Sequence, residues 1–354
     1  MNRQQITNQK GEIEFRKKLY LQQIEGEKIF DNEFDSAGTE NLLKDRMNTT
    51  LVRMTKLRDA GIPISPYLEI GAERGQRSLI MENEMEASGA AADISYDMLR
   101  SCSNYQKVFN KSKIPARLCC DANNLPLKSN SIPFVFCYET LHHFPEPGPV
   151  VEEIYRVLRP GGYFFFDEEP YNKILHFNLY KGSTIYSTQS KGIIRRAFDR
   201  FFSTLTCNEV EHGVIENHKI TITQWKDALS CFETKDVWLR PSNRSSFGSE
   251  LFNPHSYLKY AASSLLGGTI SGLSKKKAAP INNPISLYDA LVCPSCKQSG
   301  TEEPLRQDTS LFFCSSCSTK YPIVDGVVFL FAYDKLIELY PDIVRSLKKS
   351  DSLS

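Results

Sequence analysis

The sequence predicts an α/β protein with a mostly parallel sheet and flanking helices, followed by a second, small β module. Three observations carry this. From Tyr67 to Phe166, short apolar runs alternate with helical stretches, the signature of a parallel sheet. One acid accompanies each of the first three runs: Glu69, Asp93 and Asp121. Near the C-terminus stand Cys293-x-x-Cys296 and Cys314-x-x-Cys317, thiols with metal-ligand spacing.

The chain of 354 residues is long enough for one large core and something smaller. Its 41% hydrophobic and 24% charged content is that of ordinary globular proteins. A net charge of +1 supplies no global attraction to nucleic acid. The six cysteines outside the paired spacing (Cys102, Cys119, Cys120, Cys137, Cys207, Cys231) lie in or beside apolar runs and read as small core hydrophobes. A reducing compartment follows, and a cytoplasmic location is expected. Residues 1–28 are polar and charged, with no secretory apolar region. The apolar-leaning run from Tyr257 to Leu273 contains Lys259, serines and glycines and falls short of a membrane span.

Residues 1–66 are expected as a helical extension, with Phe15, Leu19, Ile24, Ile29 and Phe34 at loose helical intervals. Leu42, Leu43, Met47, Leu51, Met54 and Leu57 follow more tightly, and Gly61-Ile-Pro63 stops that helix. The large domain is expected over 67–277. Its strands are Tyr67–Ile70, Gly89–Ala92, Ala116–Cys120, Phe134–Tyr138 and Gly162–Phe166, then Phe232–Leu239 and Thr269–Leu273. The second strand is Ala-rich and is placed by position, since its propensity is weak. Val150, Val151, Ile154, Val157 and Leu158 give the helix before the fifth strand its apolar face. Residues 171–224 read as a cap with an added helix near 193–202, Thr223 as the cap of a short helix, and 240–266 as an insertion. A linker over 278–285, a compact module over 286–333 and a tail over 334–354 complete the chain.

The loop after the first strand, Gly71-Ala-Glu-Arg-Gly75, decides the ligand class. A dinucleotide site needs G-x-G-x-x-G so that backbone can approach a pyrophosphate. Here the second and third glycine positions hold Glu73 and Gln76, and a carboxylate beside a pyrophosphate is repulsive. Acids at three successive strand ends suit instead a nucleoside-bearing cofactor along one edge of the sheet. LEIGAERG, AAADIS, CCDANNLPL, ETLHHFPEP and RVLRPGGYFFFDE occur in that order. Together they resemble the class I S-adenosylmethionine-dependent methyltransferases, in particular the subgroup that includes quinone-biosynthesis enzymes.

The resemblance implies a Rossmann-like, mostly parallel seven-stranded sheet. It also implies S-adenosyl-L-methionine held by Glu69, Gly71, Ala72, Gly75, Asp93, Ile94, Asp121, Ala122 and Glu139. Glu69 would face the ammonium, Asp93 the ribose hydroxyls and Asp121 the adenine amino group. Asp93 and Asp121, each taken alone, serve equally well as helix N-caps. Glu73 departs from the family, which has glycine there.

His142 and His143, after the fourth strand, are the candidate bases, because imidazole titrates near neutrality. The alternative is that this pair packs and braces the loop. Asp167, Glu168 and Glu169 read as a solvated acidic edge. The loop lacks the [DN]-P-P-[YF] pattern of adenine and glutamine N-methylation, and Cys137-Tyr138 is not the Pro-Cys of cytosine C-methylation. A small-molecule or lipid-linked acceptor, methylated on oxygen or carbon, remains. Tyr171, Phe177, Tyr180 and Tyr186 are candidates for its apolar wall.

In the C-terminal module 17 residues separate the two Cys pairs, which fits a closed, structural Zn2+ site of Cys293, Cys296, Cys314 and Cys317. With Tyr321-Pro-Ile-Val-Asp-Gly-Val-Val-Phe-Leu it resembles the zinc-ribbon subunits that activate tRNA, rRNA and release-factor methyltransferases. That resemblance implies an apolar strand after the Asp-Gly turn docked on the catalytic domain, here within one chain. An RNA- or protein-directed methyltransferase and a non-catalytic scaffold that keeps the fold are the alternatives.

Overall fold

The computed structural model describes residues 3–30, 36–172, 180–181, 203–204, 210, 213–241, 246–277 and 285–351. The elements in chain order begin with helices α1 (Arg3–Gln23) and α2 (Ser36–Asp59). Then follow β1 (Tyr67–Ile70), α3 (Gln76–Asn83), β2 (Gly89–Asp93), α4 (Tyr96–Val108), β3 (Ala116–Cys120), β4 (Ile132–Tyr138), α5 (Gly148–Val157) and β5 (Leu158–Tyr171). Next are β6 (Tyr180–Lys181), β7 (Ser203–Thr204), α6 (Ile222–Ala228), β8 (Thr234–Arg240), β9 (Ser249–Glu250), α7 (Tyr257–Leu266) and β10 (Gly268–Lys275). The C-terminal module contains α8 (Pro294–Gln298), β11 (Leu305–Gln307), β12 (Leu311–Cys314), β13 (Lys320–Val324), β14 (Val327–Leu330), α9 (Tyr333–Leu339) and α10 (Pro341–Asp351).

Among the described residues the main sheet has twelve strands, in the order β11-β12-β13-β14-β3-β2-β1-β4-β5-β10-β8-β9. The expected seven strands lie side by side within it, and strands added at both ends extend it. β3, β2, β1, β4 and β5 run parallel, whereas β10 is antiparallel to both neighbours. Strand order reverses between β1 and β4, which opens a crevice at their carboxyl ends.

Alternation along β4 explains why the sheet is covered on both faces. Val135 and Cys137 join Leu68, Ile70, Ala92 and Ile154 on one face. Phe134, Phe136 and Tyr138 join Leu43, Met47 and Leu79 of α2 and α3 on the other. The weak β2 also has a packing reason. A Cβ at Gly89 would sit 2.6 Å from the Tyr67 ring, so a small residue is required beside that aromatic.

The C-terminal module joins this sheet. β14 pairs parallel with β3, Val327 opposite Arg117 through Leu330 opposite Cys120. Polar contacts pin the same edge: Glu302 accepts from Ser129 Oγ at 2.6 Å and from Arg156 at 2.8 Å. The expected tail from 334 contains two helices, α9 and α10, and Leu336, Leu339, Tyr340 and Val344 pack with Phe329 and Phe331. The alternation Val327-Val328-Phe329-Leu330 leaves an apolar face that those helices cover.

The short helix α6 starts two residues earlier than expected. Thr221, not Thr223, is its cap, because the capping box needs Gln224 at the third helical position. β9 and α7 occupy the expected insertion. Of the expected apolar wall, Tyr171 is instead a core residue whose hydroxyl donates to the Ser263 carbonyl at 2.9 Å. Phe177, Tyr186, Phe34 and the expected helix near 193–202 lie outside the described residues, as does the Tyr180 side chain. Among the described residues no helix is long and apolar enough to cross a membrane.

Candidate functional site

The crevice at the carboxyl ends of β1 and β4 opens into a cavity of about 1400 Å³. Its floor is the Gly71–Gly75 loop. Gly71 has φ +64°, and a Cβ there would meet Thr140 at 2.4 Å, so close approach of two loops requires glycine. Thr140 itself donates to the Tyr138 carbonyl at 2.8 Å. Gly75 (φ +67°) faces the Cys102 sulfur, and Ala72 is buried with its N–H on the Ala92 carbonyl.

The strand-end acids separate into two kinds. Asp93 and Asp121 line the cavity together with Gly71, Ile94, Ala122 and Glu139. Ala72 and Gly75 of the loop do not line it, nor does Glu69, which lies beneath the loop. Glu69 accepts from Ser78 Oγ at 2.6 Å, and burial pushes its carboxyl up to about 7. Asp93 takes the Glu73 and Ser95 N–H groups, one on each oxygen, both at 2.8 Å. Burial still raises it to about 6. Asp121 caps the turn Ala122–Asn124, accepting from the Asn123 N–H at 3.0 Å, so the capping and cavity-lining roles coincide. Its second oxygen meets Lys335 of α9. Burial opposes ionisation of Asp121, and Lys335 outweighs it, so the carboxyl is held below the usual range.

Glu73 has a left-handed backbone, with φ 52°. Its side chain meets Arg74, and Arg46 bonds it at 2.9 Å. Arg46 of α2 also reaches Glu139 at 2.9 Å, and Arg16 of α1 lies 3.8 Å from Glu73. Burial works against the Glu73 charge, but Arg74, Arg46 and Arg16 hold the carboxyl well below the usual carboxylate range. Sequence inspection does not reveal Arg46 and Arg16 as site residues, because they stand on the N-terminal helices, far from the loop in sequence.

The histidine pair divides its labour. His142 has both ring nitrogens committed: Nδ1 lies 2.9 Å from Glu169 and Nε2 3.4 Å from Glu216. Burial disfavours its charge, yet these carboxylates raise it to about 10. Glu169 is fully buried and Asp167, paired with Arg53 at 3.1 Å, is buried too, which corrects the expected solvated edge. The Glu169 carboxylate accepts from the N–H groups of Thr140, Leu141 and His142 at 2.7–3.2 Å and so caps the turn that carries the histidines. His143 Nδ1 lies 2.9 Å from the Ile215 carbonyl. A carbonyl only accepts, so Nδ1 carries the proton and Nε2 is the acceptor. Burial and the neighbouring His142 push His143 below its ordinary value. Both histidines line the cavity.

At the far edge of the sheet Cys293, Cys296, Cys314 and Cys317 converge, all sulfurs within 4.8 Å of one another. The Cys293–Cys317 and Cys296–Cys314 separations are 3.5 and 3.7 Å. A tetrahedral ion about 2.3 Å from each thiolate sets its ligands roughly 3.8 Å apart, so the donor set fits zinc.

Residues 68–166 match the family described as a methyltransferase domain. The α/β sheet that carries this segment is Rossmann-like. An uncharacterized chloroplastic methyltransferase of Arabidopsis thaliana is 42% identical over 78 residues, 21% of this chain and 22% of the relative. The malonyl-[acyl-carrier protein] O-methyltransferase of a Marinomonas species is 30% identical over 118 residues, 33% of this chain and 41% of that protein. The chain spans 22% to 51% of the length of the curated relatives it matches. Among solved structures, a complex of the Haloferax volcanii Trm112 methyltransferase activator with a methyltransferase is 14% identical, with a TM-score of 0.38. That match covers 71% of this chain and 100% of the other.

Proposed function

We propose that the protein is an S-adenosylmethionine-dependent methyltransferase acting on oxygen or carbon of a small-molecule or lipid-linked acceptor. The observation that carries this reading is the convergence of Gly71, Asp93 and Asp121 on one cavity inside the methyltransferase domain. The donor chemistry fits the cofactor: the acids suit hydroxyl and amino donors and a sulfonium, and they disfavour a pyrophosphate. Asp93 and Ile94 would hold the ribose, Asp121 and Ala122 the adenine, and the Gly71 turn the methionine end. Glu69, Ala72 and Gly75 would shape that turn from below. When bound, S-adenosylmethionine supplies an electrophilic methyl group. Two curated relatives, one named as an O-methyltransferase and one as a 27-O-demethylrifamycin SV methyltransferase, support an oxygen acceptor.

The protein's own part is positioning, exclusion of water and proton removal. His143 Nε2 takes the acceptor proton, while His142 stays clamped between Glu169 and Glu216 and orients the turn. Arg46, bridging Glu73 and Glu139, closes the cavity from the N-terminal side. The four-cysteine site would hold a structural Zn2+ and keep β14 in register with β3.

Calorimetric titration with S-adenosylmethionine tests the reading, together with transfer of a labelled methyl group to hydroxyl- or carboxyl-bearing small molecules. Stoichiometric binding is expected. A wild-type chain that binds neither S-adenosylmethionine nor S-adenosylhomocysteine overturns it.

A further inference from the structure

Asp121 is met from two sides. One side lines the cavity, and on the other stands Lys335, which is 4% exposed and does not line it. Lys335 belongs to α9 of the C-terminal module, 214 residues further along the chain. Its place is built into the fold. β14 lies against β3, whose last residue precedes Asp121, and Leu336 and Leu339 pack with Phe329 and Phe331. Just after α9, Tyr340 donates its hydroxyl to the Ile94 carbonyl at 2.6 Å and accepts from the Tyr96 N–H at 3.1 Å. One short segment thus braces both strand ends, Ile94 after β2 and Asp121 after β3.

The chemistry gives this brace a consequence. A buried carboxyl group with no cation drifts toward its protonated form, which can donate as well as accept. A carboxylate beside an ammonium only accepts. The remaining oxygen of Asp121 is oriented by Asn123, whose backbone and side-chain N–H groups both reach it at 3.0 Å. A 6-amino purine donates toward such a group, whereas a 6-oxo purine presents an acceptor.

We propose that Lys335 is a positioning residue: from the C-terminal module it fixes Asp121 as an acceptor-only carboxylate and so selects an adenine over a 6-oxo purine at the nucleoside end of the site. This rests on the reading that Asp121 faces the purine.

The test compares S-adenosylhomocysteine with its inosine counterpart by calorimetry on full-length wild-type, Lys335→Met and Lys335→Arg chains. The wild type should prefer the adenine ligand. Lys335→Met should lose adenine affinity about tenfold, the scale of one charge-assisted hydrogen bond, and its preference for adenine should shrink. Lys335→Arg should restore the preference, which a loss of general stability would not predict. A folded Lys335→Met chain with wild-type affinity and preference overturns the inference. If that variant does not fold, Lys335→Gln gives the same readout, and an undiminished preference there overturns it equally. A wild type that binds neither ligand overturns the cofactor reading itself, whereas a wild type that binds with unchanged variants removes only the role of Lys335.

Discussion

The two ends of the cavity are built differently. At the end where we propose that the nucleoside binds, Asp93 and Asp121 sit where β2 and β3 stop, and backbone N–H groups, joined at Asp121 by Lys335, hold their carboxylates. At the other end, His142, His143 and Glu216 sit on a short turn and a loop, held by side-chain pairs and by a buried Glu169. Strand ends inherit their position from the whole sheet, whereas the histidine turn depends on a few charged contacts. Substitutions at the nucleoside end should therefore change binding, and those at the histidine end should change rate and pH response.

The largest expected effect is at the histidine end. His143→Gln should lower kcat by roughly 10²–10⁴-fold, the usual contribution of a general base, with the S-adenosylmethionine Kd unchanged. Because the His143 proton is lost below the ordinary 6.5, the wild-type rate should rise with pH only in the acid range and be level through neutrality. An equal loss of binding would erase the contrast between the ends.

Replacing Cys293 and Cys314 by serine should remove bound zinc and lower unfolding stability by about 3 kcal/mol or more, since a structural metal contributes directly to folding. Metal analysis with denaturant titration checks this, and a zinc-free variant of full stability and activity would separate the module from the rest of the chain. Gly71→Ala comes next. A left-handed alanine costs about 1 kcal/mol and the Thr140 overlap roughly 1–3 more, so cofactor affinity and melting temperature should both fall.

The pH dependence of stability offers a finer probe. His142 has a folded value raised to about 10, above its ordinary value of about 6.5. Its stabilisation is therefore complete below about pH 6.5 and lost as pH rises through 10. Melting temperature should fall across that window, and Glu216→Gln should flatten the fall. The smallest effect is expected for Glu73→Gly, which removes a partner of Arg46 and should weaken S-adenosylmethionine binding by tenfold or less. Tighter binding would mean that Glu73 obstructs the methionine end.

Legibility in the sequence follows the same division. Four of the five parallel strands were readable because apolar runs and glycine turns are local signals, the Ala-rich β2 was readable only from its position between them, and Asp93 and Asp121 followed from their place at strand ends. The Cys pairs were readable from spacing alone. Glu169 was not, because among three consecutive acids nothing local shows that Asp167 and Glu169 turn inward. Arg46, Glu216 and Lys335 were not either: each reaches the site from a segment remote in sequence, and an isolated charge outside the strand-end loops normally faces solvent.

The sequence by itself determined the alternation of strands and helices, the glycine turn with its acids, and a four-thiol donor set, because these depend on backbone geometry and near neighbours. Tertiary structure alone decided that Glu69 lies under the loop and that Glu73 is neutralised by arginines. It also decided that His142 is clamped while His143 keeps a free acceptor, and that the C-terminal helices reach back to Asp121. Those outcomes turn on burial and on charges meeting across the sheet edge, and the energy of a charge depends on what surrounds it in space.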